Sequence, residues 1–361
     1  MKAKAAPASA LNLAVEAFAL ANARHLLSSN GKITQMALSR YGASLAAVRR
    51  TIMHGKLPSD DMMLMAILTI DMFEIVFMVR EEPLKLHSNA IEYLLAARGA
   101  GQVLSPIGHA LYRMTNRRLQ VRQLGLELSP LSVQLACIDL LDLSNPSQSL
   151  GAIHLRAQQT LATSRSQLSC GSTAWEDLEH LVWRIEGHLD ESQHWQDSLN
   201  PSWVPKRIRL SDHPDIFDIF TSSPMPITSQ VWIYQDPVIS HDMNFFYQGQ
   251  LALRSMLMDI LATMRSLAPD QLERAKLDQQ IETHKTTISL IADILVESIT
   301  PLLGSVELND EGEPCLTGRK ITWCFARGVC WALQQAKRVS VEHKAFTYRV
   351  EDWMRRMNGI L

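Results

Sequence analysis

Two carboxylates in one apolar segment are the residues of this sequence best placed to do chemistry. Asp71 and Glu74 lie in the run 62–79, MMLMAILTIDMFEIVFMV, which carries no other charge. A spacing of three residues puts both carboxylates on one face of a helix. A helix that is apolar all round is buried, and burial raises the pKa of an unpaired carboxyl group. The pair could anchor a ligand or act as an acid and a base, or it could be a hydrogen-bonded tie to Arg98 or His87 on the next helix.

Two further groups are candidates for contact with other molecules. The aromatic residues Trp232, Tyr234 and Tyr247 have polar ends and could complete an apolar pocket, together with the carboxylates, that protonates a polyketide or terpenoid. The second group is basic, and on a helix its spacing of four, one and four predicts one stripe that either faces solvent or touches an acidic partner or nucleic acid. Its members are Arg113, Arg117, Arg118 and Arg122.

The sequence contains none of the common motifs that hold a nucleotide, a catalytic serine or a zinc ion. G-x-G-x-x-G, the P-loop, G-x-S-x-G and H-E-x-x-H are all absent. Five cysteines, at positions 137, 170, 315, 324 and 330, form no Cys-x-x-Cys pair, and their odd number indicates a reducing intracellular compartment. We therefore predict neither a metal site nor a cofactor.

The composition indicates a globular helical protein. Hydrophobic residues make up 47% of the chain and charged residues 20%, and the helix formers Leu, Ala and Met are plentiful. The net charge of −2 excludes a chain-wide basic field for nucleic acid. The apolar run 62–79 carries two carboxylates in its middle, which disfavours a membrane span, so we expect no membrane partner.

Helical periodicity extends over nearly the whole sequence. It predicts an all-α fold with a short tail at 1–10 and one helical domain at 11–361, divided by a proline-rich irregular segment near 197–230. No strand pattern stands out, and the polar stretches 164–173 and 305–318 are expected to be loops. The predicted helices are 11–27, 34–54, 62–79, 83–98, 106–123, 130–143, 151–161, 175–195, 233–266, 271–303, 320–336 and 343–357.

Several stretches along the chain form a familiar order. The first is Ala37-Leu38-Ser39-Arg40-Tyr41-Gly42 through Leu45, followed by Ser59-Asp60 and the apolar helix ending at Glu74. The second has the form H-x-x-A-x-x-x-L-L-x-x-R-G and consists of His87, Ala90, Leu94, Leu95, Arg98 and Gly99. Later stretches are Leu189, Trp195, Leu199, Pro201 and Trp203, then Trp232–Asp236 with Asn244 and Tyr247, then Asp293-Ile294, Ser298, Pro301 and Leu303-Gly304, and finally Trp331-Ala332-Leu333, Trp353 and Gly359-Ile360.

Together these stretches resemble the fungal-specific transcription factor domain, the regulatory domain of fungal zinc-cluster transcription factors. The resemblance extends over nearly the whole chain, from about residue 11 to residue 361. The sequence departs from the family pattern at Asn200, which stands between Leu199 and Pro201, at Trp232 in place of a histidine, and at Gln248 in place of an arginine. The family's six-cysteine zinc cluster is expected to be missing, because no cysteine precedes Cys137.

The resemblance implies an all-α regulator of transcription in the nucleus that controls a fungal metabolic or secondary-metabolite gene cluster. Its partner would be a full-length transcription factor or a second copy of the chain, with DNA contacted only indirectly and a small molecule as an effector. The alternative is a cytoplasmic enzyme or small-molecule-binding protein on a repurposed helical shell. Its candidate ligand-binding residues are Asp71, Glu74, His87, Arg98, Trp232, Tyr234 and Tyr247.

Overall fold

The computed structural model describes residues 9–23, 30–53, 61–78, 87–171, 174–214, 216–218, 226–303, 306–309, 311–316 and 323–358. Most of these residues are in helices, and their strands form only two small sheets, which confirms the predicted all-α class. The predicted motif residues Ser59, Asp60, Gly304, Gly359 and Ile360 lie outside the described residues, as do positions 1–8 of the predicted tail.

The chain divides into two compact units. The first unit takes its residues from Met1–Leu119, Leu131–Leu140 and Arg355–Leu361, and the second unit from Gln120–Pro130 and Leu141–Met354. The proline-rich segment 197–230, expected to divide the domain, therefore belongs entirely to the second unit.

The first unit is a small group of helices in which α3 is the most apolar element. Its helices are α1 (Ala10–Ala23), α2 (Asn30–Met53), α3 (Asp61–Phe77), α4 (Ser88–Arg98), the part of α5 (Pro106–Leu126) up to Leu119, and the short α6 (Ser132–Ala136), with 3-10 turns at Ala100–Leu104 and Ile138–Leu140. α1 packs on α2 and α3, and the rings of Phe18 and Phe77 meet edge to face with centroids 5.5 Å apart. Because α3 is apolar at most positions, it buries most of its side chains, including Asp71 and Glu74.

The second unit is built around one long helix. Its elements are the end of α5 from Gln120, α7 (Pro146–Ser169), α8 (Trp175–Asp197), β1 (Lys206–Arg209), β2 (Gln230–Ile233), α9 (Pro237–Leu267), α10 (Gln271–Leu302), β3 (Val306–Leu308), β4 (Pro314–Leu316), α11 (Trp323–Gln335) and the part of α12 (Val341–Asn358) up to Met354, with 3-10 turns at Pro201–Trp203 and Leu210–Asp212. α9 packs against α7, α8, α10 and α11. It begins at Pro237, four residues later than the predicted start at 233, and the Asp236 side chain caps it by accepting a hydrogen bond from the backbone of Val238 at 2.7 Å.

Two antiparallel pairs of strands are present where none was expected. Strand β1 pairs with β2, with Lys206 opposite Ile233, and β3 pairs with β4, with Val306 opposite Leu316. Four residues in each strand of one pair and three in each strand of the other are too few for alternation to stand out in a sequence. The predicted helix at 233–266 and the predicted loop at 305–318 are wrong at these positions.

Helix α7 is longer than its sequence suggests. The prediction ended it at residue 161 and treated 164–173 as a loop, whereas the helix continues to Ser169. The hydroxyl of Ser164 donates to the carbonyl of Thr160 at 2.9 Å, and that of Ser169 donates to the carbonyl of Arg165 at 2.8 Å. A serine hydroxyl group that donates to the carbonyl four residues earlier is compatible with a helix. The polar composition of this segment therefore wrongly predicted a loop.

Candidate functional site

Asp71 in the first unit pairs with an arginine that the sequence assigned to another role. The Arg118 side chain on α5 donates from Nη2 to Asp71 Oδ1 at 2.6 Å, and its Nε lies against Oδ2. The Asp71 side chain is 3% exposed and that of Arg118 is 10% exposed. Burial raises the pKa of Asp71, while the Arg118 guanidinium acts in the opposite direction. The Asp71 carboxyl group is thus paired with an arginine of the same chain.

Of the two alternative ties predicted for the carboxylates, to Arg98 or to His87, Arg98 has its described ion pair with a third carboxylate. Arg98, at the end of α4, donates from Nη2 to Asp61 Oδ1 at 2.5 Å instead. Asp61 is the first residue of α3, so the contact ties the N-terminal end of α3 to α4 at a position ten residues from Asp71. The carboxylate at this helix N-terminus is also favourably placed relative to the helix dipole.

Glu74 joins three elements of the first unit. The hydroxyl of Tyr41 on α2 donates to Glu74 Oε1, and the same oxygen lies 3.0 Å from Nε2 of His87, just before α4. The Tyr41 ring stacks on Phe73 of α3, with centroids 5.0 Å apart and an angle of 16° between the planes. The predicted link between the carboxylates and His87 is confirmed for Glu74, and the arrangement positions helices around a buried acceptor.

The four arginines of α5 do not form one exposed stripe. Arg113 is exposed, whereas Arg117, Arg118 and Arg122 are half-buried. Arg118 donates to Asp71, and Arg122 belongs to the second unit. Of the four arginines, only Arg113 is exposed as the predicted contact stripe requires.

The predicted aromatic residues belong to the second unit and have different environments. Trp232 on β2 donates from its ring nitrogen to Glu297 Oε2 at 2.7 Å, and the Arg207 guanidinium lies 5.8 Å from its ring centroid. Tyr234 and Tyr247 are both buried, and burial raises the pKa of each hydroxyl. These contacts make Trp232 part of a surface tie between β1, β2 and α10, while the two tyrosines contribute to the core.

Two features of the second unit were not predicted from the sequence. The first is an ion cluster: Arg165 donates to both carboxylate oxygens of Glu127 and, at 3.1 Å, to Asp259, which also accepts from Arg338 at 2.6 Å. The second is a cleft between α5, α9 and α11, close to Lys337. Their members are far apart in the sequence, so neither forms a local motif.

The described part of the chain offers no group of three or more histidine, cysteine, aspartate or glutamate side chains that could bind a metal ion. No described helix combines the length and the apolar character that a membrane crossing requires. No protein-family model, curated protein or solved structure matches this chain.

Proposed function

We propose that this chain is a regulator of transcription that acts through a protein partner or a sensed metabolite, in the control of a fungal metabolic or secondary-metabolite gene cluster. The observation that carries the proposal is that residues of the family-like stretches bond to one another. Tyr41 and Glu74 come from the first of these stretches and His87 from the second, and the three side chains meet at one carboxylate oxygen in the first unit.

Residues of the family-like stretches also contact one another in the second unit. The hydroxyl of Ser298 donates to Asn244 Oδ1 at 2.7 Å, and both side chains are about 1% exposed. Trp195 and Trp203, from another family-like stretch, meet edge to face with centroids 5.9 Å apart. Residues that recur in one order and also contact one another are expected of a shared fold, and this supports the resemblance on which the function rests.

Two properties of the chain favour action through a partner. The net charge of −2 provides no general attraction to phosphates, and the described structure places only Arg113 of the basic stripe in solvent. The favoured partner is therefore a DNA-binding zinc-cluster factor, with a second copy of the chain as the other candidate, and the favoured location is the nucleus.

The alternative function, an acid and base pair at Asp71 and Glu74, has less support. A catalytic carboxyl group must reach the substrate, whereas Asp71 is paired with Arg118 and Glu74 accepts from Tyr41. Both carboxylate residues are also only 2% exposed. Their contacts are those of groups that hold helices in place.

A DNA-retention experiment tests the proposal. Immobilised genomic fragments are incubated with the purified chain at several salt concentrations, with and without fungal nuclear extract. We expect retention only when extract is present. Retention of the purified chain alone, falling steeply with salt, would contradict action through a partner. Absence of retention in both arms, while the extract's own factors are retained, would contradict the regulatory function.

A further inference from the structure

The outer face of α8 in the second unit carries carboxylates and one tryptophan. α8 packs against α7 and α9, and Leu178, Ile185 and Leu189 are buried on that side. Six exposed residues on the opposite side follow the spacing i, i+3, i+7, i+10, i+14 and i+21, so they lie within about 60° of one another's central member around the helix axis. We call this face the acidic stripe, and its members are Glu176, Glu179, Trp183, Glu186, Asp190 and Asp197.

The five carboxylates of the acidic stripe form no ion pair with any described residue. α8 contains a single arginine and no lysine, and this arginine, Arg184, donates to Thr160 Oγ1 on α7 at 3.0 Å. Exposed carboxylates on α10 differ, because they have cationic partners. Glu282 Oε2, for example, lies 3.3 Å from Lys285 Nζ. The acidic stripe therefore presents negative charge that the described part of the chain does not offset.

Two carboxylates of the acidic stripe also repel each other. Glu186 and Asp190 are four residues apart, a spacing that brings like charges together on a helix. Partial burial raises the pKa of Glu186, and the neighbouring Asp190 carboxylate adds to the increase. A cation bound beside these two residues would offset the repulsion between them.

Trp183 lies in the middle of the acidic stripe and is 71% exposed. Its ring meets that of His180 at an angle of 87°, with centroids 5.9 Å apart, and one such neighbour leaves at least one face of the indole open. Helical side chains lean toward the N-terminus, and the residue one turn further along is Gly187, which has no side chain to cover the indole. The face of an indole attracts cations, so Trp183 adds an aromatic anchor for a positively charged group.

Arginine is the residue that fits both features of the acidic stripe. Its guanidinium stacks flat on an indole and donates paired hydrogen bonds to a carboxylate, whereas the lysine ammonium is a point charge that does neither. From Glu176 to Asp197 the acidic stripe extends about 30 Å, because an α-helix rises about 1.5 Å per residue. An extended segment of about nine residues has the same length.

We propose that the acidic stripe of α8 binds an extended, arginine-rich segment of a partner protein. One arginine stacks on Trp183, and others pair with the carboxylates of Glu179 and Glu186, which lie one turn away on either side. The inference goes beyond the proposed function, since this binding depends on neither DNA nor transcription. It assigns a surface of the second unit to a partner of defined chemistry.

Isothermal titration calorimetry of the purified full chain tests the proposal. The probe is a peptide of about nine residues in which arginine alternates with serine, and the matched peptide has lysine in place of every arginine. We expect saturable binding of the arginine peptide that weakens as the salt concentration rises, and binding about threefold weaker for the lysine peptide. No saturable binding of the arginine peptide to the folded chain would overturn the proposal. Equal affinity for the two peptides would contradict the stacking of arginine on Trp183.

Four single substitutions assign the binding to the acidic stripe. Trp183→Ala should weaken the arginine peptide about tenfold, and Glu179→Gln and Glu186→Gln about threefold each, with melting temperatures close to that of the wild type because all three side chains are exposed. Asp177→Asn is the matched control, since Asp177 is exposed on the same helix but lies about 120° from Trp183 around the axis. It should change the affinity by less than about twofold. Equal affinities of the folded Trp183→Ala and Asp177→Asn variants would place the peptide elsewhere and overturn the proposal.

Discussion

Arg118 donates a hydrogen bond to Asp71 at 2.6 Å and forms with it a buried ion pair within the first unit. The two residues are 47 positions apart, on α5 and α3. This contact changes the interpretation of both residues. Asp71 was expected to be a reactive carboxylate and Arg118 a surface arginine, but each is the charge partner of the other. A buried charge that loses its partner destabilises a protein strongly, whereas a well-packed apolar pair in its place can be neutral.

The first prediction is a double-mutant cycle on this pair. Arg118→Met should lower the free energy of unfolding by about 3–5 kcal/mol, because Asp71 then stays buried without the guanidinium. The combined variant Asp71→Leu/Arg118→Met should recover most of that loss. Urea unfolding measures the free energies of unfolding of the single and the double variant. The control is Arg113→Met at an exposed position on the same helix, which should change stability by less than about 0.5 kcal/mol. A double variant as unstable as the single one would show that the pair is not a self-contained structural tie.

The second prediction concerns a close approach in the core of the second unit. A Cβ atom at Gly249 would lie 2.3 Å from Nε2 of His154, whose ring is fully buried. Gly249→Ala should therefore lower the free energy of unfolding by about 1–3 kcal/mol.

Gly187, in the middle of α8, is the matched control for this substitution. A Cβ there would meet nothing within 4 Å, so Gly187→Ala should stabilise the protein by about 0.4–1 kcal/mol. Thermal unfolding of the two variants compares them directly. Equal melting temperatures would contradict the predicted crowding at Gly249.

The third prediction uses the end of α5. Glu127 has φ 54°, a left-handed conformation that favours glycine, and the backbone N–H of Leu128 donates to the Gln123 carbonyl at 2.9 Å. Glu127→Ala loses the contacts with Arg165 and keeps the strain, whereas Glu127→Gly loses the contacts and relieves the strain. The glycine variant should be more stable than the alanine variant by about 1 kcal/mol. Chemical denaturation measures the difference, and an alanine variant as stable as the glycine variant would contradict it.

The fourth prediction is a pH dependence at Glu191 on α8. Contacts with His188 and with Arg156 hold the pKa of Glu191 below its usual value of 4.5. A carboxyl group with a lowered pKa stabilises the folded state above its unfolded pKa, and this contribution is lost as the pH falls through the folded value. The stability difference between the wild type and Glu191→Gln should therefore shrink as the pH falls below about 4.5.

Urea unfolding between pH 3 and pH 7 measures that difference. Glu176→Gln is the comparison on the same helix, since no hydrogen bond or ion pair of the Glu176 side chain is described. A Glu191 difference that grows as the pH falls would have the wrong sign for a lowered pKa.

The sequence predicted well what depends on local pattern and poorly what depends on distant contacts. The apolar run of α3 predicted both the helix and the burial of Asp71 and Glu74. Arg118 could not be identified as the partner of Asp71, because a helical stripe of arginines is equally typical of a solvent face. The cleft was missed for a similar reason, since Gln248 and Ser255 are ordinary polar residues until α5 and α11 surround them.

The most direct test of the central claim is a tethered reporter assay. The chain is fused to an unrelated DNA-binding module and expressed in a fungal host with a reporter gene downstream of that module's site. The controls are the module alone and the module fused to an unrelated helical protein of similar size. A regulator that works through partner proteins should change reporter transcription relative to both controls. Transcription equal to both controls, with the fusion folded and present in the nucleus, would contradict the account.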